Sequence, residues 1–125
     1  IKAQEKPAAP GGASILDAVN RAQPALMEAL EISKKAAKAG FEWEKWDDVV
    51  AKLREELAEL HEAQRSGSAE ETAGEIGDLL FTVVNLARWA KVDPEMALRA
   101  TNRKFRQRFA HVEKRSAEAG NTLEG

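Results

Sequence analysis

Apolar positions recur along most of this chain at spacings of three and four, the mark of helices that each bury one face. From Ile15 onward nearly every segment is helix-forming, and the boundaries are punctuated. A short turn of helix is expected over residues 15–20. A first long helix then starts at Pro24, which suits the first helical position, and "PALMEALEISKKAAKAG" runs to Gly40 as a left-handed terminator. "FEWEKWDDVV" leads into a second helix, whose core stripe is Val49, Leu53, Leu57 and Leu60 and which ends near Arg65 before "SGS". Ser68 with Glu71 predicts a capping box for a third helix, with Ile76, Leu80, Val83, Ala87 and Ala90 as its core stripe. Asp93 and Pro94 cap a fourth helix that reaches Gly120. Short connections between long amphipathic helices predict an all-α chain packed as an antiparallel four-helix-bundle-like domain. No strand pattern and no internal repeat is visible. "IKAQEKPAAPGGAS" reads as a linker over residues 1–14 that joins the domain, residues 15–120, to something upstream, and 121–125 is a tail. The missing initiator Met points to processing or a fragment.

The polar positions change the picture. Around the second helix Glu56 lies about 60° from the centre of the leucine stripe, at the 100° per residue of helical geometry. Glu59 follows on the same flank, Glu55 is one turn from it, and Glu62 points towards solvent. The third helix repeats the device with Glu75 and Asp78, and the line continues through Thr82 and Asn85 towards Trp89. Gly74 and Gly77 bracket that pair inside a helix, where each costs about 1 kcal/mol relative to alanine, so a close approach to the backbone is expected there. Two helices, each with carboxylates at i and i+3, can build a four-oxygen cage for a hard divalent cation such as Mg2+. Taken alone, an acidic run is a solvated helix face more often than a metal site. A di-iron bundle would need Glu-x-x-His on two helices, and His61 and His111 instead follow Ala58 and Arg108, so both histidines read as exposed or structural. In "NRKFRQRF" Phe105 and Phe109 share a face read as core, while Lys104 and Arg108 form a flank suited to phosphate oxygens.

Composition narrows the function classes. The 125 residues suit one domain, with 43% hydrophobic and 32% charged residues. A net charge of -2, from 19 basic and 21 acidic side chains, argues against a nucleic-acid binder that works through a basic surface. The absence of cysteine removes disulfides, thiolate catalysis and cysteine zinc sites. No apolar run approaches the ~18 residues of a membrane span, no signal peptide is visible, and a cytoplasmic location follows by default.

"EELAE" followed by "EIGD" resembles the paired Glu-Glu-x-x-Glu and Glu-x-x-Asp signature of the all-α nucleoside triphosphate pyrophosphohydrolases. "PALMEALEISKKAAKAGFEW", "GDLLFTVVNLAR" and "NRKFRQRFAHVE" are similar to MazG proteins, especially their C-terminal catalytic domain, so the resemblance covers about residues 15–118. It implies Mg2+-dependent hydrolysis of an NTP or dNTP to the monophosphate and pyrophosphate, with Mn2+ as a substitute metal and nucleotide-pool clean-up as a role. It also implies a homodimer with the helices of both subunits packed together. Carried over by position, the metal ligands are Glu56, Glu59, Glu75 and Asp78. Glu55, Glu56, Glu59, Lys104 and Arg108 are the catalytic set, and Asn85, Lys104 and Arg108 contact the nucleotide. "FEW" and Lys34 or Lys35 lie near the base or phosphates. The chain departs from the family pattern at Gly74, where relatives often carry an acid. It departs again at "NTLEG", where they usually continue into an acidic, tryptophan-containing helix. A non-catalytic helical dimerisation or regulatory module on the same fold is the competing expectation.

Overall fold

A computed structural model describes residues 2–3 and 13–120, so the tail 121–125 and most of the expected linker lie outside the described residues. The chain divides into two compact units, Ile1–Pro94 and Glu95–Gly125. The first holds a short 3-10 helix at Ile15–Ala18, then α1 (Ala25–Lys38), α2 (Trp46–Ser66) and α3 (Ala69–Trp89). A two-residue antiparallel ladder pairs β1 (Lys2–Ala3) with β2 (Phe41–Glu42), where the sequence pattern predicts no strand. The fold is all-α apart from that ladder, among the described residues.

Helix ends follow local chemistry. Pro24 is the N-cap of α1, so the helix begins at Ala25, one position after the expected start. Ser68 Oγ accepts the Glu71 N–H at 3.1 Å, which is half of the expected capping box; the complete box is at Ser14 and Asp17. Gly40 and Gly67 close α1 and α2 at φ 97° and 77°, values that glycine adopts without a Cβ penalty. Lys91 does the same for α3 at φ 60°. Its N–H donates to Arg88 O, and the Val92 N–H donates to Ala87 O at 2.8 Å. These are the paired bonds of a Schellman motif, with lysine where glycine is usual, at a cost of roughly 1–2 kcal/mol.

Packing differs from the expected stripes. Both α1 and α2 pack on α3, and β2 packs on α1. The buried line of α2 is Val49, Glu56 and Ala63, two turns apart, so Glu56 is at the centre of the inner face and not on its flank. Leu57 is 48% exposed. On α3 the buried positions are Thr82, Val84 and Asn85. Ile76, Leu80 and Val83, expected in the core, are 44%, 52% and 45% exposed. Both helices are therefore turned so that the line bearing their carboxylates lies inward and much of the leucine-rich face lies outward. No group comes within 4 Å of where a Cβ would stand at Gly74 or Gly77, so the described chain makes no close approach there.

A polar network fastens the three packed elements. Arg88 on α3 makes two bonds to the Glu42 carboxylate on β2, at 2.7 and 2.6 Å. Its Nε donates to Ser33 Oγ on α1 at 2.7 Å. Ser33 Oγ donates in turn to Asn85 Oδ1, and Asn85 Nδ2 donates to Phe81 O.

The second unit carries most of α4 (Pro94–Glu118), a helix of 25 residues. Phe105 and Phe109, read as core from sequence, are 63% and 39% exposed. They meet edge to face with ring centroids 6.0 Å apart. Within this unit no second described helix is present to cover them.

Glu42 tests the network. Its carboxyl sits below the usual 4.5, chiefly through the Arg88 hydrogen bonds, which outweigh the opposing effect of burial. A lowered folded value adds stability above the unfolded value, and that stability is lost as pH falls through the folded one. Glu42→Gln is expected to destabilise the chain by about 1 kcal/mol at neutral pH. It should also flatten the loss of stability on acidification, as measured by urea unfolding across the acid range.

Candidate metal centre

Glu56 is a carboxylate with 4% exposure inside a helix pair. Its Oε1 lies 3.2 Å from Lys52 Nζ, one helical turn earlier. The pairing, with Glu56 as its largest contributor, raises the Lys52 pKa. Oε2 of Glu56 is buried with no hydrogen-bond partner, and so is Oε2 of Glu75 on the facing helix. A buried carboxylate oxygen without a donor carries the full cost of desolvation.

Asp78, exposed and one turn after Glu75, completes a cluster. Glu56, Glu75 and Asp78 each offer an oxygen within 4.8 Å of the others. Glu59 is exposed at its edge, lining a cavity of about 400 Å³ together with Glu62, Glu71, Gly74, Glu75 and Asp78. Glu62, read from sequence as solvent-facing, thus shares a cavity wall with Glu59. Glu55 turns away: it pairs weakly with Lys52 at 3.5 Å and lines a separate cavity with Trp43, Asp48 and Lys52.

The cluster shows its strain at Glu75, whose pKa is pushed up to about 7, first by removal from water, then by hydrogen bonding with Glu56 and Glu59 and by repulsion from both. When all three are ionised their oxygens face one another as acceptors with no proton to share. A proton on Glu75 supplies one; a cation would neutralise the cluster and satisfy both orphaned oxygens. Carboxylate oxygens alone are the donor set of Mg2+ and other hard ions, so the residues fit such a cation.

Of the four ligands expected from sequence, the structure thus gathers Glu56, Glu75 and Asp78, with Glu59 beside them. Asn85 is buried and bonded to Ser33 and Phe81. Lys104 and Arg108 are exposed on α4. Sequence reading passed over Lys52, although its i, i+4 spacing to Glu56 was there to see. It also passed over Arg88, an arginine inside the apolar run "NLARWA".

The Glu75 value carries a sign. Its folded pKa of about 7 stands above the ordinary 4.5, so the proton favours the fold, and that contribution is lost as pH rises from 4.5 through 7. In chelator, Glu75→Gln is expected to remove this decline and to leave a higher melting temperature at pH 8, a comparison that thermal melts between about pH 5 and 8 provide.

Residues 24–105 match the family model described as phosphoribosyl-ATP pyrophosphohydrolase, a span that includes Lys104 and stops short of Arg108. The chain is 44% identical over 124 residues to the nucleoside triphosphate pyrophosphohydrolase/pyrophosphatase MazG of Thermotoga maritima, covering 99% of this chain and 47% of that protein. It is 40% identical over 114 residues to the nucleoside triphosphate pyrophosphohydrolase of Escherichia coli K12, covering 90% of this chain and 43% of that one. It therefore spans a little under half the length of these curated relatives. With the family model matching more than half of its residues, the chain belongs to the phosphoribosyl-ATP pyrophosphohydrolase family, and the relatives it resembles bear the name nucleoside triphosphate pyrophosphohydrolase.

Proposed function

We propose that the chain is a nucleoside triphosphate pyrophosphohydrolase domain, which cleaves an NTP or dNTP to the monophosphate and pyrophosphate and serves in the clean-up of cytoplasmic nucleotide pools. The observation that carries this reading is the pair of buried, partnerless oxygens on Glu56 and Glu75 beside Asp78. Two like-charged carboxylates held this way are costly unless a cation belongs between them. The names of the relatives support the substrate class.

In this reading Glu56, Glu75 and Asp78 hold Mg2+, or Mn2+ in its place, with Glu59 as a fourth carboxylate at the cavity edge. When bound, such an ion withdraws charge from phosphate oxygens and eases attack at phosphorus. Lys52 ties up one Glu56 oxygen and so fixes which of the two is free. Glu59, exposed on the cavity wall, orients the attacking water, while Glu55, in the neighbouring cavity, acts only through its pairing with Lys52. Attack falls on the α-phosphorus, and Lys104 and Arg108 stabilise the charge that builds on the leaving pyrophosphate. Asn85 meets the nucleotide through the amide hydrogen that Phe81 leaves free. Trp43, beside Lys52 in the neighbouring cavity, offers a ring face for the base.

The active form in this reading is a homodimer packed as a helical bundle. Its support is the exposure of four large apolar side chains, Leu57 on α2 and Ile76, Leu80 and Val83 on α3. Among the described residues no helix is long and apolar enough to cross a membrane.

Purified protein with Mg2+ and a panel of nucleoside triphosphates should release pyrophosphate as its first product. Orthophosphate appearing first would overturn the reaction, and no turnover with any nucleotide would favour a dimerisation or regulatory module. Asp78→Asn and Glu59→Gln, both at exposed positions, should each lower kcat about a hundredfold or more with helicity unchanged by circular dichroism. Leu80→Lys should shift sedimentation from dimer to monomer; an unchanged dimer would place the interface elsewhere.

A further inference from the structure

A second cavity, of about 370 Å³, is lined by Leu30, Lys34, Arg88, Lys91, Val92 and Asp93. None of the clustered carboxylates lines it, and its lining carries three cationic side chains against one carboxylate, Asp93. Leu30, 5% exposed, gives it an apolar floor. Among the described residues neither the Lys34 nor the Lys91 ammonium has an ion-pair or hydrogen-bond partner. Arg88 is held rigid by Glu42 and Ser33, which together occupy three of its N–H groups and leave two of five free.

Lys91 is the informative residue. It occupies the left-handed position of the Schellman motif, where glycine would sit without strain. A cation near a helix C-terminus favours the helix dipole, but Arg88 already stands in the last turn of α3 at an ordinary helical angle. A strained backbone that carries a long cationic side chain into a cavity points to a use for the side chain itself. Two free ammonium groups and a fixed guanidinium around one small space suit an oxyanion with several acceptor oxygens.

We propose that this cavity binds a phosphate-class oxyanion, with Lys34 and Lys91 supplying charge and Arg88 a fixed wall of donors. The site does not depend on the reading of the acidic centre. The test uses the full chain in chelator, so that no divalent ion can hold phosphate at the carboxylates. Inorganic phosphate, pyrophosphate and a nucleoside monophosphate are titrated calorimetrically. At least one should bind, and Lys91→Gly should weaken it roughly tenfold or more, the equivalent of one charged hydrogen bond. The same substitution should raise the melting temperature, because it relieves the left-handed lysine. Lys34→Gln should weaken binding with the melting temperature unchanged. Binding of pyrophosphate or phosphate without the monophosphate would support a site for the free anion; binding of the monophosphate alone would support one for a nucleotide phosphoryl group. The proposal is overturned if none of the three binds, if both variants bind as the parent does, or if Lys91→Gly loses melting temperature together with affinity.

Discussion

The structure turns on one carboxylate. Glu56 is at the middle of the buried face of α2, with one oxygen tied to Lys52 and the other sealed from water without a donor. A leucine there would pack more cheaply. Keeping an acid sets the terms for everything around it: Lys52 must lie one turn back, Glu75 must face it from α3, and that facing pair must be relieved by a proton or a cation. The raised pKa of Glu75 is the free chain's answer, and the oxygen-only donor set describes what would replace the proton.

What faces inward at Glu56 dictates what faces outward elsewhere. A helix has only one circumference, so directing Glu75, Thr82 and Asn85 inward leaves Ile76, Leu80 and Val83 on the far side. The remaining polar inner face is kept in register by the chain from Glu42 through Arg88 and Ser33 to Asn85. That network joins a strand and two helices by directional bonds where apolar packing is thin. It also fixes the orientation of the Asn85 amide, since Oδ1 already accepts from Ser33.

Helix extents were legible in the sequence because their causes are local. Gly40 and Gly67 end helices through their own backbone freedom, and Ser68 begins one through a bond three residues away. The two acidic pairs were legible too, since i, i+3 spacing on two helices is visible without knowing how the helices meet. The rotation of those helices was not. Counting apolar residues assigns the leucine stripe to the core, whereas the buried lines of both helices run through polar positions, Glu56 on α2 and Thr82 and Asn85 on α3. Hidden as well were the partners of Arg88, which lie 46 and 55 positions away in sequence, because no local pattern links residues so far apart. Lys104 and Arg108 could be read as an exposed cationic flank, and the structure of α4 by itself has them so.

The two faces of α3 have a consequence for how the chain tolerates change. This helix is a rod of 21 residues, with carboxylates along one side and an apolar stripe along the other. Turning it by even a small angle moves both sides at once. Ile76, Leu80 and Val83 lie on the other side of the helix from the carboxylate cluster, yet a substitution there that rolls the helix changes the spacing of Glu75 and Asp78 from Glu56. Sequence drift on the outer face is thereby constrained by the carboxylate geometry on the inner one. Changing the spacing of the carboxylate cluster does not require touching a single carboxylate.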